Sequence, residues 1–308
     1  MKSSGSSSPE VSEGAKTTTQ STPQGQAPGR PNEIEGVTNV WVIHPISRRV
    51  VDVLARTSIT PNQVSVASVF FAAAGAASFA ALPWPISAFA GLVLLLAWHV
   101  LDGADGDLAR RTGRASPIGE LVDGVCDHAS QACVYIGLGW IVAHNTSVSV
   151  AVELGLAAAA SHFVQANGYE TGRKTYRRWV YGAAWMRQTQ SEGGNIFQRL
   201  LGGLYIGLSH LMAPGESRLE QVLEPKLARG GEAADEVRAA YRRAHVFIVK
   251  RSGLLSSNSR TLAAFLAVLA KHPGWFFIYE ITVLNGVLLA VLVARAIRNR
   301  MLAARFAG

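Results

Sequence analysis

The sequence predicts an all-α, polytopic membrane protein: six transmembrane helices, an N-terminal juxtamembrane amphipathic helix and a long cytoplasmic insertion between spans 4 and 5. Three observations carry this. Of 308 residues, 49% are hydrophobic and only 16% charged, and mean hydropathy is positive, a balance foreign to soluble domains. Apolar segments of a length that crosses a bilayer, roughly 17 to 25 residues, recur at 61–82, 84–102, 118–143, 148–167, 254–271 and 274–296. Lys and Arg collect in alternate connections between them.

Residues 1–36 are rich in Ser, Thr, Gly, Pro and Gln without apolar periodicity and read as a disordered tail, with no apolar core of a signal peptide. Residues 37–58 set Trp41, Ile43, Ile46, Val50, Val53 and Leu54 against Arg48, Arg49, Asp52 and Arg56. That pattern suits a helix lying on the inner leaflet or one packed against the bundle. From 59 to 308 the chain reads as one membrane domain, opened by Thr60 as N-cap and Pro61 at the first helical position. The fifth span is the most polar, starting Ser256, Ser257, Asn258, Ser259, Arg260. Glu280 falls inside the sixth, where an acid needs a partner or faces outward near the far interface. His99 and His162 read as satisfied bundle histidines. Cys126 and Cys133 lie on one helix as packing residues, not as a disulfide framework.

Residues 168–253 carry fourteen Lys and Arg against eight Asp and Glu. The stretch Asn195–Met212 is apolar, but Arg199, its glycines and the basic region beyond it argue for a membrane-hugging helix in an inner-face insertion rather than a seventh span. Trp179, Tyr181 and Trp185 read as interfacial anchors. Orientation follows from Arg48, Arg49 and Arg56, from Arg110, Arg111 and Arg114, and from Arg295, Arg298, Arg300 and Arg305. The opposite loops, near Pro83, His144 and Lys271, are short and nearly uncharged. Both termini and the 103–117 loop are therefore expected in the cytoplasm, in a bacterial inner membrane.

At that cytoplasmic surface stand Asp102, Asp105, Gly106, Ala109, Arg110, Gly119, Asp123 and Asp127. At about 100° per residue, 102, 105, 106 and 109 share one sector of a helix, and 119, 123 and 127 share another. Asp107 points off the first sector. Four carboxylates thus converge from two helices beside apolar runs, and cations have to neutralise them. Helix capping alone needs one acid per helix start, not four facing each other.

The spacing D-x2-D-G-x2-A-R-x8-G-x3-D-x3-D resembles the signature of the CDP-alcohol phosphotransferase family, also called CDP-alcohol phosphatidyltransferases, without a mismatch over 26 residues. A weaker likeness extends over the six apolar segments and Thr60-Pro61-Asn62. The resemblance implies an integral membrane enzyme of phospholipid biosynthesis that moves a substituted phosphoryl group from a CDP-linked donor to an alcohol, releasing CMP. It implies two ions, Mg²⁺ or Mn²⁺, held by Asp102, Asp105, Asp123 and Asp127, with Asp127 also the general base. Gly106, Ala109, Arg110, Gly119, Thr60, Pro61 and Asn62 would form the donor nucleotide site. Arg110 meets the donor phosphates or braces an aspartate. Homodimers are usual in the family, and no nucleic-acid partner is expected.

For the acceptor, Arg173, Lys174 and Arg177 are candidates, with Asn258 and Arg260 behind them. Arg173 and Arg177 are i,i+4 neighbours able to clamp a phosphate, as relatives using polyol phosphates do nearby, or to meet anionic lipid headgroups. The donor is CDP-diacylglycerol with an acceptor such as inositol phosphate or glycerol phosphate, or a soluble CDP-alcohol with a lipid or polyol acceptor. A cation carrier is the reading from another class; it would move metal without releasing CMP. The long 168–253 segment departs from compact family members and bears on the acceptor, not the chemistry.

Overall fold

The computed structural model describes residues 32–36, 38–183, 203 and 207–307. Every regular element among them is helical. A π-helical turn, Asn39–Ile43, leads into α1, His44–Leu54; then come α2, Pro61–Ala81, α3, Ile86–Arg111, α4, Pro117–Asn145, and α5, Val148–Tyr181. After the 184–202 and 204–206 gaps in the description follow α6, Glu216–Arg229, α7, Gly231–Ser252, α8, Ser257–Leu269, and α9, Gly274–Ala307. The helix reading of Asn195–Met212 and the anchor reading of Trp185 fall largely or wholly outside the described residues.

Local chemistry sets the helix starts. Thr60 caps α2 reciprocally: its Oγ1 accepts from the Gln63 N–H at 3.3 Å while Gln63 Oε1 accepts from the Thr60 N–H at 2.9 Å. Ser116 and Ser147 cap α4 and α5 through the N–H groups of Gly119 and Val150, at 3.0 and 3.3 Å. Helix α5 ends at Gly182, whose φ of 67° is the left-handed conformation of a helix stop.

Among the described residues, four helices are long and apolar enough to cross a membrane: α2, α3, α5 and α9. Helix α4 has the length, but Asp123, Asp127, His128 and Gln131 interrupt its apolar run. Helix α8 has 13 residues, about 20 Å at 1.5 Å per residue, shorter than a hydrocarbon core. Outward-facing Phe70, Ile136, Leu156 and Leu289 are each more than 60% exposed, which suits contact with lipid or a partner rather than water. Where backbones come closest, small residues allow it: a Cβ on Gly137 of α4 would lie 2.9 Å from Ala76 of α2.

Three expectations are corrected. The tail reading ran to residue 36, but Ile34 is buried with Trp179, Tyr241 and Leu302, and Glu33 and Glu35 are engaged by α5. The fourth span was ended at 167, yet α5 runs unbroken to Tyr181, and its last turns form one core with α6, α7 and the end of α9. The described parts of the 168–253 segment are therefore packed onto the membrane helices rather than hung from them. Trp179 is no interfacial anchor: it is fully buried, and its Nε1–H donates to Glu216 Oε1 at 2.5 Å.

Glu280 faces inward, 0% exposed, and its Oε1 accepts from Arg260 Nε at 2.7 Å. Arg260 also donates to Gln165 Oε1 at 2.7 Å and to the Leu255 carbonyl. This pair ties α8 to α9 and α5. Arg260→Met should cost about 3–5 kcal/mol by stranding Glu280, and Arg260→Met/Glu280→Leu should recover most of it; thermal unfolding of purified protein in detergent checks both.

In the α6–α7 layer, burial pushes the Glu216 carboxyl up to about 7, from 4.5. Burial pushes His245, whose Nε2 meets Asn299 Oδ1 at 3.0 Å, down to about 4, from 6.5. Folded Glu216 keeps its proton while the unfolded chain loses it, so its contribution falls as pH rises from 4.5 to 7. Folded His245 refuses a proton that the unfolded chain takes, so its contribution is lost as pH falls from 6.5 to 4. Each is on the order of 3 kcal/mol across its window, and the slopes oppose. Glu216→Gln removes one of them. The melting temperature of the variant relative to wild type should therefore climb between pH 4.5 and 7; a flat or falling difference contradicts the assignment.

Candidate active site

The C-terminal half of α3, the N-terminal half of α4 and the start of α2 meet at one end of the bundle. Asp105 is 3% exposed. Its Oδ2 accepts from Ser65 Oγ at 2.5 Å, and its carboxyl is within hydrogen-bond reach of Asp123 across the α3–α4 gap. The Cys126 thiol, buried one turn along α4, lies in electrostatic range of Asp102, Asp105, Asp123 and Asp127 together. The four acids of the sequence motif are therefore brought to one place. Asp105 is sealed among helices, Asp102 is half-buried, and Asp123 and Asp127 are exposed.

Two carboxyl groups in contact cannot both stay ionised without a proton or a cation between them. All-oxygen donors on opposed helices are the chemistry of a hard divalent ion. Among the described residues no three His, Cys, Asp or Glu side chains surround a single point at metal-ligand spacing. The acids form an open, converging set rather than a closed cage, and their donor type fits the ions expected from the motif.

The small residues keep space beside them. A Cβ at Gly106 would stand 3.5 Å from the Arg110 guanidinium, which folds back along α3. A Cβ at Gly119 would stand 3.6 Å from Asn62 Oδ1, so Asn62 and the Thr60-Pro61 start of α2 adjoin the start of α4. Ala109 is half-buried. Arg110 braces an aspartate, but the one it pairs with is Asp107, outside the motif's four. Ser65 is the residue that motif reading missed. Its signal was present, since 62 and 65 are i,i+3 neighbours on one face of α2.

On the far side of Asp127, Glu170 of α5 acts on the Asp127 carboxyl and accepts from Arg173 Nη1 at 3.2 Å. This links the basic end of α5 to the acids. Arg173 Nη2 donates to Glu35 Oε1 at 2.6 Å. Lys174 is exposed and Arg177 half-buried. Asn258 Nδ2 donates to Thr38 Oγ1 at 3.1 Å and to Asn39 Oδ1. Arg260, 2% exposed, faces Glu280 and the bundle interior, while its charge still reaches Asp127. His99 bonds Thr261 Oγ1 at 2.7 Å, as a satisfied bundle histidine, whereas His162 packs edge-on to Tyr135 with its buried Nδ1 lacking a hydrogen-bond partner.

The family model for CDP-alcohol phosphatidyltransferases matches residues 58–182. Phosphatidylinositol phosphate synthases of Mycobacterium bovis and Mycobacterium tuberculosis are 30% identical over 93 residues, which is 30% of this chain and 41% of theirs. The archaetidylinositol phosphate synthase of Aeropyrum pernix is 39% identical over 95 residues, 30% of this chain and 46% of the relative. The chain thus spans less than half the length of the curated relatives it matches. Helices α2 to α5, which present the four acids and their neighbours, fill the matched segment, and residues 58–182 are a domain of the CDP-alcohol phosphatidyltransferase family.

Proposed function

We propose that this protein transfers a phosphatidyl group from CDP-diacylglycerol to the hydroxyl of a polyol phosphate, such as inositol phosphate or glycerol phosphate, releasing CMP. The observation that carries the reading is the Asp105–Asp123 contact held by Ser65 within a complete family motif. Relatives named as phosphatidylinositol and archaetidylinositol phosphate synthases favour a lipid-linked donor and a phosphorylated polyol over a soluble CDP-alcohol.

Asp102, Asp105, Asp123 and Asp127 would hold two Mg²⁺ or Mn²⁺ ions. When bound, these neutralise the donor diphosphate and lower the pKa of the acceptor hydroxyl. Ser65 fixes the Asp105 carboxylate, so that its free oxygen has one direction to face. Gly106 and Ala109 leave room for the cytidine ring, with Asn62 and Gly119 at its edge. Asp127, exposed on α4, accepts the hydroxyl proton. The hydroxyl oxygen then attacks the phosphorus bearing the diacylglycerol group, and the bond to the CMP oxygen breaks in line. Arg173, Lys174 and Arg177 face the acceptor phosphate.

The same reading places six spans in a bacterial inner membrane, with α4 and α8 completing the bundle around polar ends. Termini, acids and the 168–253 segment lie in the cytoplasm. Arg110, Arg111 and Arg114 beside the acids support that side. A long apolar groove of about 830 Å³ between α4 and α5, lined by Ile136, Trp140, Val152 and Leu156, supports a homodimer sealed along these helices.

Release of CMP from CDP-diacylglycerol by purified protein, with Mg²⁺ or Mn²⁺ and a panel of polyol phosphates, tests the function. Turnover only with soluble CDP-alcohols, or metal flux without CMP, refutes it. Asp127→Asn should still bind CDP yet lose about 10³-fold or more in turnover, as expected when a general base goes. Ser65→Ala should lower kcat/KM by about tenfold through a loosened Asp105, with overall fold retained; an unchanged rate would show that Ser65 serves packing alone.

A further inference from the structure

Residues 33–35 and 38–39 reach both Arg173 and Asn258 of the acceptor reading. The Glu35 side chain is 2% exposed. Its Oε1 accepts from Arg173 Nη2 at 2.6 Å; its Oε2 accepts from Asn39 Nδ2 at 3.1 Å and lies 3.8 Å from His44 Nε2. Asn39 Oδ1 in turn accepts from Asn258 Nδ2. One buried carboxylate is thereby joined directly to Arg173 on α5 and, through a single amide, to Asn258 at the start of α8.

We propose that Glu35 is a positioning residue for the acceptor: it fixes the Arg173 guanidinium in the orientation that meets the polyol phosphate and, through Asn39, the Asn258 amide, whose Oδ1 is left to accept from a polyol hydroxyl. This rests on the acceptor reading above. An unpaired arginine would give up side-chain freedom on each binding event, and a charge-assisted bond to a buried acid removes that cost in advance. Glu35 and Glu170 flank the guanidinium, and the Tyr169 ring lies 5.3 Å from it. Arg173 is therefore directed, while Lys174 and Arg177 add positive charge next to it.

The competing arrangement is a plug, with Glu35 occupying the place of the phosphate until displaced. Burial decides against it. Ile34 is 3% exposed in the α5–α7 core. Glu33 accepts from the Tyr176 and Tyr181 hydroxyls and pairs with Arg242 at 3.3 Å. The segment is anchored on both sides of the residue that would have to leave.

The two arrangements predict opposite shifts. With full-length protein, CDP-diacylglycerol and inositol phosphate as probes, Glu35→Gln should raise the acceptor KM about tenfold, the loss of one charge-assisted bond. The donor KM should stay within about twofold, since uniform acceptor binding is what is removed. Asn39→Ala should raise the acceptor KM less, and Glu35→Gln should add nothing in an Arg173→Ala background. A lowered or unchanged acceptor KM in Glu35→Gln, with Arg173→Ala still raising it, overturns the positioning role alone. Donor and acceptor KM rising together reduce Glu35 to a folding residue and overturn it as well. If Arg173→Ala leaves the acceptor KM unmoved, the acceptor reading itself falls and takes this one with it. Should Glu35→Gln not fold, an unchanged acceptor KM in Asn39→Ala is the refuting result.

Discussion

Negative charge at the ends of membrane helices is the constraint on which the rest of this molecule turns. A carboxylate such as Asp105, sealed between α2, α3 and α4, is costly unless hydrogen bonds and counter-charge compensate it. Ser65 supplies the bond, and the contact with Asp123 creates a demand that only a proton or a cation meets. Small residues adjoin the acids: a Cβ on Gly106 would touch the Arg110 guanidinium, and one on Gly119 would crowd Ser116 Oγ at 3.2 Å. Arg110 pairs with Asp107 instead of entering the set, so its charge does not close the four acids against one another.

The same physics recurs deeper in the bundle with the opposite outcome. Arg260 and Glu280 meet directly, and Gln165 and the Leu255 carbonyl accept from the rest of the guanidinium, while Glu280 Oε2 is buried without a hydrogen-bond partner. Arg295 is buried against the Gly168 carbonyl at 3.0 Å, and the absence of a side chain on Gly172 is what admits it, because a Cβ there would fall onto the guanidinium. Buried charges closed by protein partners hold helices together. Buried charges left open to one side bind something else. The α3–α4 acids, two of them exposed, belong to the second kind.

This contrast sets what the sequence could reveal. The motif was legible because its chemistry is local: two helical stretches, fixed spacings and a helix period place 102, 105, 123 and 127 together without knowledge of the fold. The caps of α2 and the apolar helices were legible for the same reason. Pairings across long separations were not. Ser65 with Asp105, Glu35 with Arg173 and Arg260 with Glu280 join residues whose own neighbourhoods carry no sign of each other. Arg173 and Arg260 look alike in sequence as cations near a membrane surface, and only tertiary packing turns one toward Asp127's neighbour Glu170 and the other inward. The end of α5 misleads for a related reason: Lys and Arg from 173 to 178 read as a membrane exit, whereas Glu35 on Arg173 and Glu220 and Glu224 on Arg178 let the helix continue into a second core.

The amphipathic segment before α2 shows how one helix answers two requirements that looked exclusive. Ile43, Ser47 and Val51, spaced i,i+4, are buried, and Ile43 and Ser47 meet α3 at Gly103, one residue from Asp102. Trp41 and Val53, on other faces, are 77% and 65% exposed, an apolar edge suited to the inner leaflet. Asp52 pairs with Arg111 at the end of α3, and that guanidinium holds the Asp52 carboxyl below the usual carboxylate range. Helix α1 therefore grips α3 at Gly103, between Asp102 and Asp105, and again at Arg111, while its outer edge is exposed. A helix that merely floated on the leaflet could not fix the register of α3, and one wholly packed would leave that end of the bundle without an apolar border. Because a site built from converging side chains depends on their spacing being held tightly, a brace that runs from this apolar edge to α3 ties the geometry of the acids to whatever surface covers that edge.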